Sequence, residues 1–340
     1  MNESSLDVIF LANEIKVSAS YLTKEFEQPD DNAHIWALRG VSFDVSAGNV
    51  VGILGAKGAG KSTLAKIISG VITPTTGNIS FGGKSAMVSM NNSFNKKLTG
   101  RENIKFKCFL AGLSNKKIKE LINEIIEFSD LSEFIDLPVK SYSTEMKLKL
   151  AFSIAFYQNL DVLIIDEALS FSKDDLFKQR CVDRIAELKK QRKIIFIISD
   201  SPHLLKDLCD QIMWLTNGKI TAFNWSKEVI EAYNAFTKQQ KNLAKKERLE
   251  YKNKLNEEKA SFNINHYYEE MLALEESSFK DFDPTVFKQM FFPSQPAAIG
   301  KLALSSKLML ALILIAFMTI VIHYVPTRPL AEIISELFSH

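Results

Sequence analysis

The stretch GAKGAGKST, Gly55 to Thr63, decides how the rest of the chain is read. It follows the apolar run NVVGIL and precedes LAKIISGV, so a strand pattern, a glycine-rich turn and a helical pattern come in that order. This is the GxxxxGK[ST] phosphate loop in its strand–loop–helix setting, where backbone N–H groups and a helix N-terminus surround phosphate oxygens. Gly55, Ala56, Lys57, Gly58, Ala59, Gly60, Lys61, Ser62 and Thr63 are therefore read as an ATP-binding loop. Lys61 would neutralise the β- and γ-phosphates and Ser62 would ligate Mg²⁺. A structural glycine turn would explain the glycines but not Lys61 and Ser62 together.

About a hundred residues on, DVLIIDEAL is a second apolar run, ending in Asp166 and Glu167. A carboxylate at the end of a buried strand beside a phosphate loop can hold Mg²⁺ through water, and the next glutamate can orient or deprotonate the attacking water. Standing alone, a DE pair reads as an acidic helix start. The phosphate loop upstream turns that reading toward catalysis by Lys61, Asp166 and Glu167. KIIFIIS adds a third strand-like run, and the alternation of such runs with amphipathic helical patterns up to residue 225 predicts an α/β parallel sheet.

The chain has 340 residues, 46% of them hydrophobic and 24% charged, enough for a full core with length left for appendages. A net charge of +2 gives no support to nucleic-acid binding. Cys108, Cys181 and Cys209 are scattered and lack CxxC spacing, which argues against a disulfide framework or a zinc site and for a reducing, cytoplasmic main domain. The acidic start MNESSLDVIF does not read as a signal peptide.

From Ser226 the pattern changes. Val229, Tyr233 and Phe236 share one helical face, and KQQKNLAKKERLEYKNKLNEEK continues as a charged helical run that reads as a solvated spacer or as a contact for anionic lipid or a partner. Further on, LMLALILIAFMTIVIHYV, Leu308 to Val325, carries no formal charge and approaches the roughly 20 residues that cross a bilayer. Lys301 and Lys307 before it, against Arg328 after it, favour a cytoplasmic N-terminal side. The expected organisation is residues 1–225 as the ATP-binding domain, 226–300 as a charged, mostly helical cytoplasmic extension, 301–326 as a transmembrane anchor in the cell membrane, and 327–340 as a short outer tail.

Between the loop and the acidic pair lies SYSTEMKLKL, Ser141 to Leu150, a serine-led helix start. With it the chain resembles the ATP-binding cassette (ABC) ATPases, in which a helical subdomain carries an LSGGQ-like signature, here Tyr142, Ser143, Thr144, Glu145 and Met146. WALRGVSFDV, LTGRENIKFKCFLAGL, DEALS and VIEAYNAFTKQQKNLAKKERLEY narrow the resemblance to polysaccharide exporters, closest to teichoic acid export ATP-binding proteins. It implies ATP and Mg²⁺ as cofactors, a second ATP-binding subunit, and a separate multi-spanning permease that carries a lipid-linked polysaccharide. It also implies a signature helix that meets the phosphate held by the other subunit. By the same resemblance Phe26 stacks on adenine, with Tyr21 a poorer choice.

The departures cluster around one interface. Glu145 replaces a signature glycine and is expected to turn a negative charge toward the γ-phosphate. Asp200 stands at the switch position where the family has histidine, and His203 falls too far along to replace it. Lys173 replaces an aspartate, and Asn91 or Asn92 stands in for a coupling glutamine. Two readings follow: an ATPase that drives polymer export, or a nucleotide-binding but weakly hydrolysing regulatory or anchoring subunit.

Overall fold

Runs of β-branched and aliphatic residues form the central parallel strands, and their burial shows why they carry no alternation. The computed structural model describes residues 16–27, 34–89, 94–167, 174–278 and 283–292. Its strands are β1 (Lys16–Glu27), β2 (His34–Ser46), β3 (Val50–Leu54), β4 (Thr76–Phe81), β5 (Ser85–Ser89), β6 (Val162–Asp166), β7 (Ile194–Ser199), β8 (Gln211–Thr216) and β9 (Lys219–Trp225). One antiparallel sheet has the order β2-β1-β4, and a second sheet has the order β5-β6-β7-β3-β8-β9. The second is parallel from β5 through β8, and β9 closes it as an antiparallel hairpin. Every residue of β3 and β7 is buried, as expected of parallel strands covered on both faces.

The strand order places the site. In the register of β7 with its two neighbours, Leu54 lies opposite Ser199 and Asp166 opposite Ile198, so three strands end side by side. Their carboxyl ends release the phosphate loop, the Asp166–Glu167 pair and Asp200 into one crevice, the usual ligand position of an open α/β sheet.

The helices are α1 (Lys61–Ile68), α2 (Gly100–Leu110), α3 (Asn115–Ser129), α4 (Thr144–Tyr157), α5 (Asp175–Lys190), α6 (Pro202–Leu208), α7 (Ser226–Asn242), α8 (Lys245–Ala260), α9 (Ile264–Ser278) and α10 (Pro284–Phe291). Helices α2, α3 and α4 share a separate core that includes Ile104, Cys108, Ile122, Ile125, Ile135 and Leu150, which makes them a helical subdomain. LTGRENI has a local reason here: Thr99 and Glu102 form a reciprocal capping box at the start of α2, at 3.1 and 2.8 Å.

After Trp225 the anticipated apolar face is present. Val229 is buried in α7, and Tyr233 and Phe236 pack their rings 5.4 and 5.2 Å from Trp214. The charged run forms α8, which has no buried residue. The chain up to Phe291 packs as one unit. Among the described residues no helix is long and apolar enough to cross a membrane. The Leu308–Val325 run lies outside the described residues, as do Asn91, Asn92 and Lys173. All three cysteines are free and buried, and burial raises the Cys108 thiol to about 11 and the Cys181 thiol to about 12.

Candidate nucleotide site

The loop between β3 and α1 is shaped by backbone that only glycine accommodates. Gly60, the N-cap of α1, has φ +105°, and a Cβ there would lie 2.6 Å from the Ala37 carbonyl oxygen. Gly58 has φ +82° but open space around its missing side chain. The Lys61 side chain is only 5% exposed and folds back over the loop, its Nζ donating to the carbonyls of Gly55 at 2.7 Å and Ala56 at 3.2 Å. Burial lowers its basicity, opposed by the carboxylates of Glu167, Asp200 and Asp166. Those four side chains thus form one electrostatic cluster, a buried cation facing three acids.

Ser62 follows on α1, with its Oγ 3.4 Å from Asp166 Oδ1. A hydroxyl and a carboxylate oxygen beside a phosphate loop are hard donors suited to Mg²⁺. Burial, then the neighbouring Glu167, raises Asp166 above the usual carboxylate range, with Ser62, Lys61 and Lys66 acting in the other direction. Such a group favours any cation that lets it ionise. Glu167 has φ +54°, unusual for a residue with a side chain, and its N–H donates to Ile198 O at 3.0 Å. That bond to β7 pins the left-handed turn in which β6 ends. Strained non-glycine backbone of this kind is concentrated at functional sites.

Asp200 comes directly after β7, is exposed, and lies close enough to bias Lys61. His203 is exposed in α6, one helix beyond the switch position. Phe26, near the end of β1, leaves its ring 43% exposed, with Lys24 Nζ 5.4 Å from the ring centre. Tyr21 is engaged elsewhere: its ring meets Phe287 and Phe291, and its hydroxyl bonds to Glu275.

The signature segment begins α4. Tyr142 is buried and donates its hydroxyl to Phe134 O at 2.7 Å, while Ser143 caps the helix by accepting from Met146 N–H at 3.1 Å. Ser143 and Thr144 are exposed. Glu145 departs from the sequence expectation. Its Oε1 accepts from the backbone N–H of Asp174 at 3.2 Å, so the carboxylate is turned to the start of α5 and bound there. One turn further along, Lys149 holds the Asp174 carboxylate at 2.6 Å and lies 3.4 Å from Asp130. The Asp174 carboxylate also caps α5 at Phe177 N–H, and these bonds, Lys149 first, hold it below its usual range. Glu145 and Lys149 therefore clamp the signature helix to α5. In the sequence Glu145 stands out but neither Lys149 nor Asp174 does; an aspartate just ahead of a helical pattern is the signal that points to Asp174.

The ABC transporter family pattern matches residues 38–170. The teichoic acids export ATP-binding protein TagH of Lactococcus lactis is 35% identical over 337 residues, covering 94% of this chain and 72% of that protein. TagH of Staphylococcus epidermidis is 44% identical over 226 residues, covering 66% of this chain and 85% of that protein. Among solved structures, a dimeric ATP-binding cassette in a post-hydrolysis state, bound to ADP and Pi, is similar in fold. Its TM-score is 0.55 at 18% identity, and the match covers 62% of this chain and 98% of that one.

Proposed function

Because this chain belongs to the teichoic acid export ATP-binding proteins of the ABC transporter family, we propose that it binds and hydrolyses ATP to drive export of a lipid-linked teichoic acid or related surface polysaccharide through a separate permease. The observation that carries this reading is the convergence of Lys61, Asp166, Glu167 and Asp200 at the carboxyl ends of three adjacent strands.

In this reading the loop amides and Lys61 hold the phosphates and draw charge from the β–γ bridge as it breaks. Ser62 and Asp166 would hold Mg²⁺, which supplies charge neutralisation at the phosphates. Glu167, fixed by its turn, orients the attacking water and accepts its proton. Phe26 offers an exposed ring for adenine. Ser143 and Thr144 present the start of α4 outward, where it can meet the nucleotide held by a second ATP-binding subunit. Residues 301–326 are read as a single membrane anchor that holds the ATP-binding domain, residues 1–225, on the cytoplasmic side. The extension 226–300 lies between them, and the tail 327–340 lies outside. One span cannot form a polymer conduit, so the permease is a separate chain.

Asp200 at the switch position favours the second reading, a subunit that binds nucleotide but hydrolyses it weakly. A carboxylate there accepts hydrogen bonds but donates none and opposes an incoming γ-phosphate. The two readings separate in one measurement: ATP hydrolysis by the chain assembled with its permease in lipid, against Glu167→Gln as background. Hydrolysis clearly above that background supports the motor. Nucleotide binding without it supports the regulatory subunit.

A further inference from the structure

The charged run that begins in the last turns of α7 ends on the phosphate loop. Lys259 in the last turn of α8 donates from Nζ to the carbonyl of Gly58 at 2.9 Å, and the helix end is fixed around that contact. The helix end is held from the cassette: Asn217 Nδ2 donates to Leu255 O at 2.9 Å, and Arg39 Nη1 donates at 2.7 Å to Glu258 O, one of the last four carbonyls, which no helical N–H can satisfy. Arg39 is nearly buried in β2, its Nε bonded to Asn217 O at 2.9 Å and its Nη2 3.4 Å from the Glu258 carboxylate. Just beyond the helix, Phe262 meets Trp36 edge to face at 5.0 Å. A cleft of about 440 Å³ beside this contact is lined by Lys57, Trp214, Phe236, Tyr251 and Lys259 itself. These hydrogen bonds between α8 and the cassette come from Leu255, Glu258 and Lys259, in the last two turns of the helix.

We propose that α8 braces the phosphate loop, with Lys259 as a positioning residue for nucleotide binding. Around the loop, Ala59 O accepts from Gly218 N–H at 2.9 Å and Lys61 holds the carbonyls of Gly55 and Ala56, while Gly58 has open space where a side chain would be. Lys259 engages the carbonyl of the Gly58–Ala59 peptide, whose N–H is already bonded within the loop to Ala56 O at 3.1 Å. Holding that peptide limits the conformations open to the loop tip, so less ordering is left to be done when a phosphate binds. Burial and the nearby Arg39 both lower the basicity of Lys259, the cost of placing a second cation beside the loop. The coupling is reciprocal: docking of α8 tightens nucleotide binding, and nucleotide tightens docking of α8. The extension thereby becomes a route between the nucleotide and whatever the C-terminal segment contacts. The proposal rests on the nucleotide-binding reading of the loop but not on hydrolysis.

The test is equilibrium binding of a fluorescent trinitrophenyl-ATP, with Mg²⁺, to the full chain in lipid nanodiscs. Lys259→Met is expected to weaken binding about five- to ten-fold, with Lys259→Arg recovering most of the loss. Lys246→Met, the same charge change at the exposed far end of α8, is expected to leave affinity unaltered. Unchanged affinity in Lys259→Met, tighter binding, or an equal loss in Lys246→Met would each overturn the brace. No binding by the wild-type chain would instead overturn the reading of the loop itself. Should Lys259→Met fail to fold, hydrogen exchange on the wild-type chain decides: nucleotide must slow exchange in the last turn of α8, and unchanged exchange there sinks the proposal.

Discussion

In the proposed function the phosphate loop and the signature turn are the two ends of one catalytic sandwich, yet the structure holds them in opposite ways. The loop is defined by what is missing: glycines let backbone amides reach a ligand, and Lys61 lies buried across them. The signature turn is defined by added side chains, with Glu145 and Lys149 reaching across to Asp174. A site made of backbone tolerates almost no side-chain change, whereas a site made of side-chain contacts can be rewired one contact at a time. The family pattern survives at the loop and is altered at the signature, as that difference would lead one to expect.

The largest effect is expected at the loop, from Gly60→Ala. Its left-handed backbone costs an L side chain about 1–2 kcal/mol, and the 2.6 Å approach to Ala37 O forces a further shift. Nucleotide affinity should fall by well over tenfold, about 1.4 kcal/mol or more. Gly58→Ala carries the strain without the collision and should lose clearly less. Equal losses in the two binding curves would mean that space at the loop plays no part.

Acidification tests the same end. Burial and Glu167 raise Asp166, so it takes up a proton at a higher pH than an ordinary aspartate. In the proposed function its ionised form holds Mg²⁺, so Mg²⁺-dependent nucleotide binding should be full at neutral pH and decline as pH falls. Below the pKa of Asp166 the decline approaches about tenfold per unit. Binding measured in Mg²⁺ titrations across pH 4 to 8, with Asp166→Asn as the control that carries only the nucleotide's own titration, checks both the direction and the residue.

A smaller effect is expected at the other end, from Lys149→Met. It removes the ammonium 2.6 Å from the Asp174 carboxylate while leaving an apolar chain to fill a place that is only 11% exposed. Because the Asp174 carboxylate keeps the Phe177 amide and some contact with solvent, the loss of stability should be about 1–2 kcal/mol, read from urea unfolding. A loss near zero would show that the clamp depends on Glu145 alone.

The sequence made the first end readable and left the second obscure for the same physical reason. Backbone chemistry leaves glycines at fixed spacing, so Gly55 to Thr63 announced itself, as did the buried strand ahead of Asp166. Side-chain contacts between distant segments leave no such spacing. Glu145 meets an amide 29 residues on, and Lys259 meets a carbonyl 201 residues back. Nothing local distinguishes that lysine from its neighbours in a run of lysines. Tyr21 and Phe26 show the limit from the other side: both are aromatic residues of β1, and only packing against Phe287 and Phe291 reveals that Tyr21 is already engaged.

The smallest expected effect is the most discriminating, and it comes from Glu145→Gln. If the carboxylate faced the γ-phosphate, removing its charge would lift a repulsion of several kcal/mol in a site shielded from water, and hydrolysis by the assembled transporter would rise steeply. In the structure Oε1 already accepts from Asp174 N–H, and glutamine offers an amide oxygen in the same place. The rate should then stay within about five-fold, because exchanging a charged acceptor for a neutral one changes a hydrogen bond by only about 1 kcal/mol. Glu145→Gly removes the acceptor altogether and frees α4 from α5, so it should alter the rate where the glutamine does not. A steep rise in Glu145→Gln would return the charge to the phosphate. A response confined to Glu145→Gly would place the altered signature residue in the clamp, acting on catalysis through the position of α4.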